Sequence, residues 1–371
     1  MKIGIVTYHN ANNYGAVLQA YALNNYIDKN IADCDIVDYR SDFFYKRYHY
    51  FIECKSLRKI ITSLLNFPIR AMIIKRFDRF RNESFKTGKE VYNDNSIKNA
   101  DTEYDKFVFG SDQIWNYSLN NCDYNYLGDF VSDSSKLNAY AASFGFSNIC
   151  DIDDNIKETY SSYLNRFKHV AVREEQGTVL VNYLTGKRAE VVCDPVFLLN
   201  KDEWDDMAVG KTKRGRYIFL YHLQGRDTDL RRYAKYLSKK TGLPVIEFQA
   251  WVKPRPICFK PVFGGSPEDF LGWIKDAEYV ITDSFHCTAF SIIFMKKFWS
   301  KIAINKDEKA TRVGNLLYKL NLHERIIPED LCKWDYDDII DYKSVEDKKI
   351  EMISSSKEYL RNILVTENKN T

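Results

Sequence analysis

The segment Thr282-Asp283-Ser284-Phe285-His286-Cys287-Thr288 puts an imidazole, hydroxyls and a carboxylate where a predicted strand, Glu278–Asp283, gives way to a helix. A helix start presents unbonded backbone N–H groups, so a phosphate or carboxylate docked there would meet them together with the Ser284 and Thr288 hydroxyls. His286 adds a group able to give or take a proton near neutral pH, which general acid–base chemistry requires. The same residues have a plainer use, in which Ser284 only caps the helix and His286 is a structural histidine with its bonds satisfied. The motif alone leaves both open.

Other strand ends offer different chemistry. Gly110-Ser111-Asp112-Gln113-Ile114-Trp115-Asn116 follows the predicted strand Lys106–Phe109. Gly110 permits a sharp exit, Asp112 and Gln113 offer hydrogen bonds to hydroxyls, and Trp115 offers a stacking face, although a turn with a core Trp has the same pattern. In Ala171-Val172-Arg173-Glu174-Glu175-Gln176-Gly177, Arg173 could grip an anion in two-pronged fashion or pair locally with Glu174 and Glu175. The turn Asn12-Asn13-Tyr14-Gly15 could cradle an anion or only end a strand, and Ser143-Phe144-Gly145 ends another strand with a small hydroxyl. Each deserves weighing because ligands of open α/β sheets bind outside the carboxyl ends of the strands.

Several chemistries are set aside. The glycine fingerprint of dinucleotide binding and the P-loop are both missing, which argues against a nicotinamide enzyme or a kinase. Asp112, Asp194 and Asp283 carry no recognisable metal-ligand spacing, and the eight cysteines form no C-x-x-C, so they read as reduced cytosolic thiols. A net charge of +3 without a groove-reading module argues against nucleic acid.

The elements that must position these groups follow from periodicity. Lys2–Tyr8 reads as a buried strand, followed by a polar turn and a helix over Ala16–Asp28; strands fit Asp35–Tyr39, Asn138–Ser143, Phe167–Val172 and Val191–Cys193. The pattern restarts after Lys211–Gly215, with strands at Arg216–His222, Pro244–Gln249 and Glu278–Asp283 and helices at Asp229–Lys240, Pro267–Asp276 and Cys287–Met295. The expected fold is α/β, with one domain over 1–210, a second over 211–345, and a terminal helix within 346–371 packing back on the first. Tyr45–Lys86 holds eleven Lys and Arg against three acidic residues among regular apolar positions, so it reads as a solvated helical pair or as a membrane-surface segment. The amino terminus lacks the features of a secretion signal and no apolar run could span a bilayer, so the expected location is the cytosol, at the inner face of the membrane if that basic stretch docks.

Taken in order, IGIVTYHNANNYGAVLQAYAL, FVFGSDQIWN, AASFG, VAVREEQG, CDPVFLL, TDSFHCTAFSIIF and TRVGNLLYKLNL closely resemble the polysaccharide pyruvyl transferase family, from residue 3 to about 322. The resemblance implies two Rossmann-like domains facing a cleft, GT-B-like, and transfer from phosphoenolpyruvate, without a cofactor or metal, to form a pyruvate ketal on a sugar. Galactose is the acceptor sugar the resemblance suggests, and the basic stretch Tyr45–Lys86 adds the expectation of docking at the membrane to reach a polyprenyl-diphosphate-linked oligosaccharide. His286 matches the family's catalytic histidine. Arg173, Ser284, Phe285, Thr288, Lys306 and Arg312 are the implied donor contacts, with the amino-terminal domain supplying acceptor contacts from Asn13, Tyr14, Gly15, Ser111, Asp112, Gln113, Trp115 and Ser143. Many relatives have Arg-Leu-His where this chain has Ser284-Phe285-His286, so another cation, Arg173 or Arg312, must supply the missing charge. A GT-B glycosyltransferase using a nucleotide sugar, and a non-catalytic glycan-binding member of the family, are the rival expectations.

Overall fold

The computed structural model describes residues 1–48, 57–146, 152–209, 215–223, 228–249, 259–302 and 308–365. Its first sheet is built from β1 (Lys2–Val6), β2 (Asp33–Tyr39), β3 (Thr87–Tyr92), β4 (Lys106–Phe109), β5 (Leu137–Ala142), β6 (His169–Val172) and β7 (Glu190–Val191). The second contains β8 (Ile218–Tyr221), β9 (Val245–Gln249), β10 (Lys260–Phe263), β11 (Tyr279–Thr282) and β12 (Lys297–Ser300). The strand orders are β3-β2-β1-β4-β5-β6-β7 and β10-β9-β8-β11-β12, and all pairs are parallel. Both sheets thus run 3-2-1-4-5 from their own first strand, which is the Rossmann order. Central strands such as β1, β4, β8 and β11 are buried on both faces, which is why they read as near-continuous apolar runs.

The strands not anticipated from sequence are β3, β10 and β12, and all three lie at sheet edges. β3 is mostly exposed and polar, and β10 carries Pro261, which an edge tolerates because it owes no ladder hydrogen bond on its outer side. The anticipated boundary at 210/211 falls among residues outside those described.

The helix Tyr14–Asn30 starts at Asn13, whose side chain accepts from the Ala16 N–H at 3.2 Å, and is buried along most of its length. It lies between the units. Tyr14 stacks on Phe270 of the second unit with ring centroids 4.8 Å apart and donates its hydroxyl to the Gly265 carbonyl at 2.8 Å. The ring is therefore core, not an acceptor contact as expected. One apolar cluster runs through both units here, so burial as well as hydrogen bonding holds them together.

Two long helices strap the units. Within Leu57–Ser84, Arg76 donates to the Gly264 carbonyl and Arg79 reaches Glu268 at 3.5 Å, while Arg81 bonds Asn12 and Asp78. These cations serve internal and inter-unit contacts rather than pointing uniformly outward; residues 49–56 of the basic stretch lie outside those described. The helix Tyr342–Val365 begins against the second unit, where Tyr342 donates to the Lys296 carbonyl. It ends against the first, where Ser356 accepts from the Cys193 N–H at 2.8 Å, Tyr359 donates to the Ala139 carbonyl at 3.0 Å, and Lys106 Nζ caps the Ile363 carbonyl at 3.1 Å.

Candidate active site

Each sheet has its topological switch point beside its first strand, between β1 and β4 and between β8 and β11. The loops leaving those strands, together with those after β6 and β7, converge where the two units meet.

His286 occupies the first turn of the helix Phe285–Ile293, which Ser284 caps by accepting from the Cys287 N–H at 3.4 Å. A Cβ on Gly15 would lie 2.0 Å from His286 Nδ1, so only glycine lets the first long helix approach the imidazole this closely. On the other side, Nε2 stands 3.4 Å from Asp194 Oδ2. Asp194 is held from below by Arg173, whose Nη1 donates to the same oxygen at 2.8 Å, while its Oδ1 accepts from the Val196 N–H at 3.1 Å. Arg173 also lies 3.7 Å from both Asp112 Oδ1 and Glu174 Oε2, and its guanidinium covers the Phe285 ring at 4.7 Å.

The electrostatics follow from this packing. Burial would raise the Asp194 carboxyl, but His286 and Arg173 outweigh it and hold the group well below the usual carboxylate range. Burial pulls on Arg173 in the opposite sense, and Asp194, Asp112 and Glu174 more than compensate, so it is raised. Arg312 is lowered, by burial first and then by repulsion from Arg173, with the carboxylates opposing. Gln113 turns its amide oxygen to the Arg312 guanidinium at 2.9 and 3.0 Å in the amide orientation that gives both ends a partner. A small cavity beside this cluster is lined by Arg173, Asp194, Phe285, Arg312, Asn315 and Lys319, among others.

Four buried polar atoms in this cluster have no hydrogen-bond partner among the described residues: Arg173 Nε and Nη2, Glu174 Oε2 and His286 Nε2. Leaving such a group without a hydrogen bond costs about 1–3 kcal/mol, offset here in part by charge partners at 3.4–3.7 Å: Arg173 Nε faces Glu174 Oε2, Nη2 faces Asp112 and His286 Nε2 faces Asp194.

The structure therefore gathers His286, Arg173, Phe285, Arg312, Asp112, Gln113 and Gly15. Several anticipated contacts are consumed elsewhere. Trp115 is fully buried, donates Nε1 to the Tyr126 carbonyl and packs against Phe144 and Phe167, so no face is open for a sugar. Ser111 donates its hydroxyl to the Ala141 carbonyl and its N–H to Gln19. Thr288 bonds the Ser284 carbonyl and Ser300, deep in the second unit. Asn13 and Ser284 are helix caps, and Ser143 donates to Glu174 Oε1 at 2.6 Å, which supports the site from behind. Lys306 lies outside the described residues. Spacing alone does not announce Asp194 as the partner of His286; its signal is Cys193-Asp194-Pro195, a capping aspartate three residues beyond the end of β7, which looks like an ordinary turn. No metal-holding group of three or more His, Cys, Asp or Glu occurs among the described residues.

These features define a protein of two facing Rossmann-like units, the GT-B-like layout, with an imidazole–carboxylate–guanidinium centre where they meet. The family model described as polysaccharide pyruvyl transferase matches residues 13–300, and the chain belongs to that family, a family of transferases. Among solved structures, the chain is similar to UDP-GlcNAc 2-epimerase of Methanocaldococcus jannaschii in complex with UDP-GlcNAc and UDP, at 13% identity over 100% of this chain and 94% of that one, with a TM-score of 0.49. The UDP-GlcNAc 2-epimerase of Neisseria meningitidis gives 9% identity, 99% and 95% coverage and a TM-score of 0.47. The heptosyltransferase WaaC of E. coli with ADP gives 14% identity, 84% and 89% coverage and a TM-score of 0.40. At those scores the architecture rests on the strand orders rather than on the likeness. A search of curated proteins found no match.

Proposed function

We propose that this protein transfers the enolpyruvyl group of phosphoenolpyruvate onto two hydroxyls of a sugar, closing a cyclic pyruvate ketal on a lipid-linked precursor of a surface polysaccharide, with galactose as the first sugar to try. The observation that carries the reading is the set of unmet polar atoms on Arg173, Glu174 and His286 at the meeting of the units. An anionic donor would meet the Arg173 N–H groups that make no hydrogen bond, in competition with Asp112 and Glu174, and Arg312, with Arg312 standing in for the cation missing at Ser284. In the reaction a hydroxyl oxygen bonds to C2 while the double bond takes a proton at C3. The C2–O bond to phosphate then breaks with its electron pair, and the second hydroxyl closes the ring. Of the two hydroxyl protons, one ends on C3 and one on phosphate. His286 is the general acid and base for these transfers, a role worth about 10²–10⁴-fold in rate, and the guanidinium groups stabilise the departing phosphate.

His286 is only 7% exposed, so on this reading the two units part to admit the substrates. The working place is the inner face of the membrane, reached through part of the basic stretch; no helix among the described residues is long and apolar enough to cross a membrane. A nucleotide-sugar reading is weaker, because the carboxylates at the ends of the second strands, where Rossmann folds hold ribose, are Asp38 and Glu247, and both are already ion-paired. The deciding experiment incubates the protein with phosphoenolpyruvate and a panel of lipid-linked and aryl glycosides and follows phosphate release and the added mass of a pyruvyl group. His286→Ala should abolish most transfer at an unchanged melting temperature. Near-normal phosphate release by that variant would remove His286 from the mechanism, and absence of a pyruvyl adduct across the panel would count against the assignment.

A further inference from the structure

Each sheet carries a histidine just beyond its first strand, bonded to a carboxylate on the neighbouring second strand that an arginine grips in turn. In the first sheet His9 Nε2 lies 3.0 Å from Asp38 Oδ1, and Arg40 donates to both Asp38 oxygens at 2.8 Å. In the second, His222 Nε2 lies 2.8 Å from Glu247 Oε1, and Arg231 Nη2 donates to the two Glu247 oxygens at 2.7 and 3.0 Å. The pairs differ at the other ring nitrogen. His9 Nδ1 is 3.2 Å from the Thr7 carbonyl, so both its nitrogens are engaged. His222 Nδ1 is buried without a hydrogen-bond partner among the described residues, on a side chain only 3% exposed.

The place of His222 gives that orphan a meaning. It directly follows β8, whose last residue Tyr221 pairs with Thr282 of β11, and the next residue, Leu223, donates its N–H to Asp283 Oδ1 at 2.7 Å. His222 thus stands beside the loop that leads into His286, at the switch point where an open parallel sheet takes its ligand. Its ring is also fixed as functional imidazoles usually are, by a carboxylate on the far nitrogen. Facing Glu247, Nε2 carries the hydrogen of the neutral ring, and in that form Nδ1 presents a lone pair. A lone pair accepts from a hydroxyl and repels a carboxylate or phosphate.

We propose that His222 Nδ1 accepts a hydrogen bond from a hydroxyl of the sugar acceptor, so that the second unit holds the acceptor as well as the donor; this rests on the pyruvyl-transfer reading. Two substitutions separate contact from scaffolding. His222→Gln keeps a polar group at the Nε2 position for Glu247 and removes the Nδ1 lone pair, whereas His222→Asn keeps an acceptor near Nδ1 and loses the Glu247 contact. The expected result is a rise of roughly fivefold to tenfold in the acceptor KM for His222→Gln, the worth of one neutral hydrogen bond, with the phosphoenolpyruvate KM and melting temperature unchanged. His222→Asn should melt lower yet keep an acceptor KM nearer to wild type. The reverse ranking, with wild-type acceptor KM in His222→Gln, would overturn the proposal. A second measurement is independent of catalysis: the full chain labelled with 15N-histidine is titrated with methyl β-galactoside, or with whichever glycoside the wild type converts. Movement of the Nδ1 resonance missing from His222→Gln supports the contact even if no pyruvyl transfer occurs, and a static resonance at saturation rejects it even if transfer does.

Discussion

Replacing Gly15 with alanine tests the tightest contact in the site. The new Cβ would lie 2.0 Å from His286 Nδ1, 2.5 Å from Cγ and 2.7 Å from Cε1, where an ordinary contact needs about 3.5 Å. Either the imidazole or the helix Tyr14–Asn30 must therefore retreat by roughly 1 Å or more, and the helix is pinned by the Tyr14–Phe270 stack and the Tyr14–Gly265 hydrogen bond. The imidazole is the softer partner, and moving it disturbs its 3.4 Å approach to Asp194. A displacement of that size at a reacting group is worth about 10²-fold in rate. The stability effect has competing signs: alanine in place of glycine in a helix gains up to about 1 kcal/mol, while forcing a methyl into a filled space costs about 1–3 kcal/mol. The second should win, giving a lower melting temperature together with a kcat about 10²-fold down in the phosphate-release assay. An alanine variant with wild-type kcat and a raised melting temperature would show that residue 15 and the imidazole do not meet as described, and the catalytic geometry would have to be redrawn.

The other substitutions probe charge. On the proposed reading Arg173 contacts the donor, so Arg173→Ala should raise the apparent KM for phosphoenolpyruvate; an unchanged donor titration would assign Arg173 to structure alone. Asp194→Asn leaves a buried guanidinium without its closest charge partner and should cost about 3 kcal/mol at neutral pH by denaturant unfolding. Because the Asp194 carboxyl is depressed when folded, its contribution is present above the unfolded value near 4 and disappears as pH falls below it, so the gap between variant and wild type should shrink in acid; a gap independent of pH would contradict the charge argument. Asp123 behaves oppositely: burial first, with Asp94 adding to it, pushes its carboxyl up to about 6 against the hydrogen bonds from Tyr39 and Asn125. The folded state then holds the proton more tightly, so wild type gains stability as pH falls from about 6 towards 4. Asp123→Asn should be more stable than wild type at pH 7.5 by up to about 3 kcal/mol and lose the advantage near pH 4, and equal stability at pH 7.5 would refute it.

What the chain discloses before folding is uneven, for physical reasons. The central strands were legible because burial on both faces demands unbroken apolar runs; the helices that begin at Tyr14 and Phe285 were legible to within two residues, expected from Ala16 and Cys287, because the caps Asn13 and Ser284 also read as ligand contacts. The edge strands β3, β10 and β12 were not; β3 buries little and its residues look like a loop. At the site, His286 and Arg173 stood out by residue type, whereas Asp194 and Gly15 matter through partners more than 90 residues and about 270 residues away in sequence, which no local pattern encodes. Trp115 erred the other way. An aromatic after a strand suggests a sugar platform, yet Phe144 and Phe167 cover its ring, because a large apolar side chain beside a core is buried whenever space allows.

On the pyruvyl-transfer reading, the same geometry bears on how two Rossmann units would serve a donor that is not a nucleotide. In the usual use of this topology a carboxylate at the end of the second strand takes the ribose hydroxyls, and a glycine-rich turn takes the pyrophosphate. Here the two second-strand carboxylates, Asp38 and Glu247, are each engaged by a histidine and an arginine, so a ribose would have to displace charge-assisted bonds to reach them. The unmet polar atoms lie instead at β6 and the helix following β11, displaced from the ribose position toward the line where the units touch. On that reading a small anion would be taken along that line by guanidinium groups from both units, Arg173 and Arg312, and closing on it is what would bring His286 and the acceptor side into register. Donor binding and the approach of the two units are then one event, so a substitution that weakens the inter-unit contact at Tyr14 should weaken donor binding without touching the donor.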